Sequence, residues 1–339
     1  MPGTDPQGLD LRRLRDYLDA RSPGLCSGEL AAEIIPGGRS NLSYRVGDGR
    51  SEWVLRRPPL GHVLPTAHDM AREHRVITAL AGTAVPVPAT VLLCEDPAIL
   101  GAPFFLMEYA PGTPYRTADQ LDALGAERTR AIVLSLVDTL VDLHTVAPAE
   151  VGLSDFGRPD GFLERQVRRW GRQLDASRSR DLPGVDELRS GLARRLPASP
   201  AATVLHGDYR LDNVLIGADD RITAVLDWEM STLGDPLTDL AVLVAYSGSD
   251  MPAVAGVSTA VDAPGYPDTG EIVARYAERS GRDVSELDWY LGLAAFKLAV
   301  ILEGIHYRYT QGNTVGADFE GIGDAVPDLV ASGLRYVAD

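Results

Sequence analysis

The sequence predicts an α+β chain with a small antiparallel sheet in its N-terminal third and helices through most of the rest. Three observations carry that reading. β-branched and aromatic residues alternate over 33–57 and return at 104–109. Val133, Leu136, Val137, Leu140, Val141 and His144 recur at i, i+3, i+4, i+7 and i+8, the buried face of a long amphipathic helix. Pro111-Gly112 interrupts the chain between these two regimes. The expected partition is therefore 1–108 for a small lobe and 109–339 for a larger, mostly helical one.

Within the first part, Leu9, Leu11, Leu14 and Leu18 sit near helical spacing, and three strands follow over 33–35, 42–46 and 52–57. Gly47-Asp48-Gly49-Arg50 has hairpin chemistry, and Pro36-Gly37-Gly38-Arg39-Ser40-Asn41 forms a glycine-rich turn before it. A helix is expected over 68–80, an extended Val85-Pro86-Val87-Pro88 segment after it, and a strand over 104–109. In the second part, short strand-like runs occur at 204–206, 214–216 and 222–226, the last two joined by a hairpin turn at 217–221. The Gly/Ala/Ser/Pro stretch 247–270 has no period, the mark of a functional or disordered loop. An apolar helix is expected over 287–305.

The 339 residues, 45% apolar and 24% charged, have an ordinary globular composition that excludes collagenous, disordered and disulfide-scaffold classes. The net charge of −16 opposes a general grip on nucleic acid, so no nucleic-acid partner is expected. The longest apolar stretches are broken by Asp138, Asp142, Lys297 and Glu303, and no membrane partner is expected. The first residues have neither a basic start nor an apolar core and do not read as a signal peptide. Two cysteines, Cys26 and Cys94, without metal-ligand spacing, fit a reducing, cytoplasmic setting.

Chemistry concentrates in His206-Gly207-Asp208-Tyr209-Arg210-Leu211-Asp212-Asn213, which places Asp208 and Asn213 five residues apart in a turn between strands. The following hairpin returns the chain, so Asp227 at its exit is expected beside Asn213 at its start. Hard oxygen ligands in that arrangement suit Mg²⁺, which keeps several waters and bridges phosphates. His206 is read as a buried ring bracing the loop. Asp235 can serve as a plain helix cap.

His206-Gly207-Asp208 through Asn213, followed by Leu226-Asp227-Trp228-Glu229, resembles the catalytic segment of the aminoglycoside phosphotransferase and choline kinase-like family. The resemblance spans about residues 30–310 and implies a bilobal protein-kinase-like fold that uses ATP and Mg²⁺. It implies that Asp208 accepts or orients the proton of the attacking hydroxyl, that Asn213 and Asp227 hold the metal, and that Asp235 and Asp239 continue the motif, with Asp239 opening a helix and tying back to the catalytic loop. The turn amides around Gly37, Gly38, Ser40 and Asn41 would approach the phosphates. Trp53-Val54-Leu55-Arg56-Arg57 falls where the family usually places a phosphate-binding lysine; alignment favours Arg56, with Arg57 on the opposite face as a solvated or packing residue. Glu73 matches the helix glutamate that pairs with this basic residue. Met107, Glu108 and Tyr109 look like the hinge whose backbone meets the adenine edge.

Gly-Gly-Arg-Ser-Asn-Leu-Ser-Tyr, Val-Leu-Arg-Arg-Pro-Pro and Asp-Trp-Glu make the resemblance strongest to the kinase-like domains found beside or fused to acyl-CoA dehydrogenases, which also tend to carry arginine at the lysine position. The implied partner is a small-molecule hydroxyl acceptor such as a hydroxyacyl-CoA. An aminoglycoside or other amino-alcohol acceptor, and a nucleotide-binding pseudokinase, remain alternatives. Arg165, Arg168, Arg169 and Arg172 line one helix face, read first as solvated and paired with Glu164 and Asp175, with contact to the phosphates of a CoA handle as the alternative. Arg308 is an acceptor-contact candidate, and Lys297, the only lysine in the chain, is expected to carry its charge out to solvent.

Overall fold

The computed structural model describes residues 5–36, 41–60, 68–248, 258–312 and 321–338. The chain forms two compact units: Met1–Gly112 with Thr223–Glu229, and Thr113–Ile222 with Met230–Asp339. The fold is α+β, with a five-stranded antiparallel sheet and a predominance of helix.

In the first unit, α1 (Leu11–Arg21) begins at Asp10, whose carboxylate accepts the Arg13 amide, and precedes β1 (Ala31–Ile34), β2 (Leu42–Gly47) and β3 (Glu52–Arg57). Then come α2 (Met70–Leu80), β4 (Thr90–Cys94), α3 (Pro97–Leu100) and β5 (Phe104–Glu108). The sheet order is β1-β2-β3-β5-β4. Its register sets Ser43 opposite Arg56 and Arg56 opposite Phe105. Strand alternation sorts the side chains: Trp53 and Leu55 pack with Tyr44, Val46, Phe104 and the α1 leucines Leu14 and Leu18, all buried. Arg56 faces the opposite side. Asp48 fixes the β2–β3 turn, accepting amides from Ser27, Arg50 and Ser51 at 2.7, 2.9 and 2.7 Å. These bonds hold its carboxyl well below the usual aspartate range.

The second unit contains α4 (Ala118–Asp122), α5 (Ala126–Thr145), α6 (Phe162–Ser177), α7 (Val185–Arg194), β6 (Thr203–Leu205) and β7 (Val214–Ile216). β8 (Ile222–Val225) carries the chain out to the first unit, and β9 (Thr232–Gly234) returns it to pair antiparallel with β6. Then follow α8 (Leu237–Ser247), α9 (Thr269–Ser280), α10 (Leu287–Thr310) and α11 (Val326–Val337). The expected apolar face of α5 is buried from Ile132 to His144. By length and apolarity α10 could cross a membrane despite Lys297 and Glu303, but it is mostly buried and packs against α6, α7, α8 and α11. Residues 249–257, within the stretch 247–270, lie outside the described residues; Ser258 and Thr259 both bond the Arg116 carbonyl, at 2.9 and 3.0 Å.

Candidate active site

Two groups of polar side chains stand out, one in each unit. In the first, Arg56 on β3 is almost buried, and its Nε donates to Glu73 at 2.9 Å to Oε1 and 3.0 Å to Oε2. Its Nη2 donates to Asp227 Oδ1. Burial opposes the arginine's charge, but Glu73, Asp227 and Glu229 outweigh it and hold the guanidinium above its ordinary range. Glu73, on the inner face of α2 and 1% exposed, is pushed up to about 7 by burial, with Arg56 pulling against the shift. Asp227 adopts a left-handed φ of +66°, and its side chain keeps 32% of its exposure.

Asn41 is buried between Glu229 and His68: its Nδ2 donates to Glu229 Oε2 at 3.0 Å and its Oδ1 meets His68 Nδ1 at 2.8 Å. Its side chain is thus committed within the unit. Gly37, Gly38 and Ser40 of the same turn lie outside the described residues. Arg57 is a packing residue; its guanidinium donates to the Gly8 carbonyl and, at 2.9 Å, to the Leu100 carbonyl.

At the expected hinge, Met107 is buried and Glu108 exposed. The Glu108 amide donates to the Ala89 carbonyl at 2.8 Å and the Tyr109 amide to the Glu52 carbonyl at 3.2 Å. Strand pairing continues one residue past Glu108, so neither amide is free for a ligand. The Ala110 amide has no acceptor among the described residues.

In the second unit, Asp208 and Asn213 come together as their spacing suggests. Asn213 Nδ2 donates to the Asp208 carbonyl at 2.9 Å and to Asp208 Oδ2 at 3.1 Å. Arg210 Nε lies 3.5 Å from the same Oδ2, and its Nη1 lies 3.1 Å from Asp212. Asp208 Oδ1 has no partner among the described residues. Because the Asn213 amide nitrogen is committed, its oxygen is the atom left to meet a cation. Asn213 Oδ1 in this unit and the Asp227 carboxylate in the other are each, by donor chemistry alone, hard oxygens of the kind Mg²⁺ takes. No cluster of three or more His, Cys, Asp or Glu suited to a metal occurs among the described residues.

The loop is braced from several sides. Asp239 accepts the His206 amide at 2.7 Å and the Gly207 amide at 2.9 Å. Burial alone would raise its carboxyl, but contacts with His144 and His206 hold it below the ordinary range. His144 links Asp239 to the Tyr276 hydroxyl, 2.8 Å from its Nδ1, and burial lowers its own pKa. The buried His206 accepts the Asp208 amide at Nδ1, 3.2 Å away. Asp235 accepts the Leu237 amide at the start of α8 and the Tyr290 hydroxyl of α10 at 2.7 Å, so it acts at the helix start while Asp239 makes the tie to the loop. Gly207 has φ +87°, and a Cβ there would stand 2.5 Å from the Met230 carbonyl oxygen, so glycine is required.

Nothing local in the sequence marks the contacts of Glu229 and His68, and the expectation for Lys297 is overturned. Lys297 does not reach solvent: it is buried and its Nζ donates to the Gly207 carbonyl. Arg308 is exposed in the last turn of α10 and has no hydrogen-bond or ion-pair partner among the described residues. On α6, Arg168 pairs with Glu164 at 2.9 Å as expected, whereas Asp175 pairs with Arg189 instead of an α6 arginine.

The model of the phosphotransferase enzyme family, APH, matches residues 31–272. The chain belongs to that family. It is 36% identical over 336 residues to acyl-CoA dehydrogenase family member 11 of Rattus norvegicus, a match that covers 96% of this chain and 43% of the relative. The chain thus spans less than half of that relative's length. Among solved structures it is similar to a Ralstonia eutropha JMP134 protein provisionally named an aminoglycoside phosphotransferase, with TM-score 0.82, 30% identity, and 97% and 98% of the two chains covered. A thermostable aminoglycoside phosphotransferase APH(4)-Ia, solved with ADP and hygromycin B, shares the fold at TM-score 0.61 and 16% identity over 91% of this chain and 95% of that one. This phosphotransferase-family chain therefore has the kinase-like fold that its motifs imply.

Proposed function

We propose that this chain is an Mg-ATP-dependent phosphotransferase that moves the γ-phosphate of ATP to the hydroxyl of a small molecule, a hydroxyacyl-CoA being the favoured acceptor class. The observation that carries the reading is the Asp208 carboxylate, with Oδ2 held by Asn213 and Arg210 and Oδ1 left open. An acceptor hydroxyl donating to Oδ1 is aligned for attack and gives up its proton there as the new O–P bond forms and the bond from the γ-phosphorus to the bridging oxygen breaks, releasing ADP. Mg²⁺, when bound, neutralises charge on the transferring phosphates. Asn213 and Asp227 would hold it, Arg56 would meet the α- and β-phosphates, and Glu73 would keep Arg56 in place. The open Ala110 amide is the hinge donor available to the adenine edge.

The acceptor class is supported by the shape of the second unit. A cavity of about 570 Å³ among α8, α9, α10 and α11 is lined by Val244, Val261, Tyr266, Leu291, Leu298 and Leu329, among others. A small recess lined by Arg210, Asp212 and Tyr246 shares Ser247, Val261 and Tyr266 with it. Val244, Val261, Leu291, Leu298 and Leu329 give that wall an apolar stretch that suits an acyl tail, beside the carboxylates of Asp268 and Asp288. The dehydrogenase name of the relative points to the same acyl-thioester chemistry.

Mass spectrometry of reactions containing Mg-ATP and either a 4-hydroxyacyl-CoA or kanamycin-type acceptors tests the proposal. Phosphorylated thioester from the wild type and none from Asp208→Asn is the expected result. Phosphorylated aminoglycoside alone would overturn the acceptor class. One observation favours a second reading: Arg56 and Asp227 bond one another, so the phosphate-binding cation and a metal-ligand candidate are mutually satisfied. ATP binding with no transfer to any acceptor would support a nucleotide-binding pseudokinase.

A further inference from the structure

Thirty-one of the 32 basic residues are arginine, and the one lysine, Lys297, lies midway along the buried helix α10. Burying an ammonium is costly unless it is hydrogen-bonded and faces opposite charge. Lys297 has both: its Nζ donates to the Gly207 carbonyl at 2.5 Å, and the Asp208 and Asp239 charges favour it. Burial still lowers its pKa, with Arg169 and Arg210 adding to that shift. Its Nζ also lies 5.8 Å from the centroid of the Trp170 ring, whose π-face favours a cation.

Gly207 is thereby held at both of its main-chain polar groups. Its amide goes to Asp239, its carbonyl to Lys297, and it sits in a left-handed conformation so close to the Met230 backbone that no Cβ would fit. The peptide plane that Lys297 grips is the one joining Gly207 to Asp208, so this contact helps set the direction in which the Asp208 side chain leaves the backbone. A single carbonyl oxygen suits a compact point donor, whereas a guanidinium presents a planar fork built for two acceptors.

We propose that Lys297 is a positioning residue for phosphoryl transfer: through the Gly207 carbonyl its ammonium fixes the Gly207–Asp208 peptide and keeps the open Asp208 Oδ1 aimed at the acceptor hydroxyl. The inference rests on the role given to Asp208 above. Lys297→Met keeps the length of the side chain and removes the donor. Because small misplacements of a reacting group are expensive, kcat should fall about 100-fold. KM for Mg-ATP and calorimetric ATP affinity should stay within about twofold, a split that general loosening of the fold would not produce.

A second measurement needs no turnover. Full-length protein labelled with ¹³C-lysine gives one ε-methylene signal, because there is one lysine. That signal should lie away from the free-lysine position and move in Asp208→Asn. A folded Lys297→Met enzyme with kcat within about threefold of wild type would overturn the proposal, as would a lysine signal at the free-lysine position that ignores Asp208→Asn. If Lys297→Met does not fold, or the wild type transfers no phosphate, the lysine signal alone decides. The second of those outcomes defeats the proposed activity separately.

Discussion

The two polar groups of this molecule are held by different means. Around Arg56 the contacts are between side-chain charges, with one guanidinium facing Glu73 and Asp227. Around Asp208 they run mostly to the backbone, with Asp239 on two amides, His206 on a third and Lys297 on a carbonyl. Side-chain ion pairs can exchange partners when a charged ligand arrives, whereas main-chain bonds fix a loop in one form. The first arrangement suits a group that must rearrange around a polyphosphate, the second a group that must already be in place when its substrate binds.

The largest expected break in that comparison is at the fixed loop. Asp208→Asn should lower phosphate transfer by about 10³-fold, within the range for loss of a general base, with ATP affinity unchanged by calorimetry; a parallel loss of ATP affinity would remove Asp208 from its assigned role. Next is the clamp beneath it. Asp239→Ala leaves one buried and one part-buried amide without an acceptor and should cost about 3 kcal/mol in urea unfolding.

The adaptable group should respond to ligand more than to denaturant. Asp227→Ala should weaken ATP binding about tenfold with Mg²⁺ present and leave it nearly unchanged in EDTA; equal affinity under both conditions in wild type and variant would place the metal elsewhere. The smallest effect separates the two groups by the sign of their pH dependence. Glu73 is raised from an ordinary value of 4.5 to about 7, so its contribution to stability is present below about 4.5 and is lost as pH rises through about 7. His144 is lowered from 6.5, so its contribution is lost as pH falls below that value. Urea midpoints between pH 5 and 8 should therefore rise with pH less steeply in His144→Asn than in wild type, and more steeply in Glu73→Gln.

Local patterns were legible where the cause was local. The strands expected over 42–46, 52–57 and 214–216 match β2, β3 and β7 to within a residue, because alternation and turn chemistry act over a few positions. β4, Thr-Val-Leu-Leu-Cys, was not foreseen, because a short apolar run without alternation has no period to read. β9 has three residues and exists through its pairing with β6. The Asp208–Asn213 contact follows from a five-residue spacing. The Asn41–Glu229 and Lys297–Gly207 contacts join residues 188 and 90 positions apart, and no local signal encodes them. Lys297 misled because a lysine in an apolar helix ordinarily extends to water, and its acceptor is a backbone oxygen of a kind that any residue could supply.

The excursion of Thr223–Glu229 into the first unit has a consequence for how the chain is made. Arg56 emerges from the ribosome long before Asp227, and Asn41 long before Glu229. The N-terminal sheet can assemble early from its own residues, but its charged cluster stays incomplete until about two thirds of the polypeptide has been synthesised. A fragment cut after Gly112 would keep Arg56 and Glu73 yet lack Asp227, so no single cut in the gene yields the first unit with its full set of charged side chains.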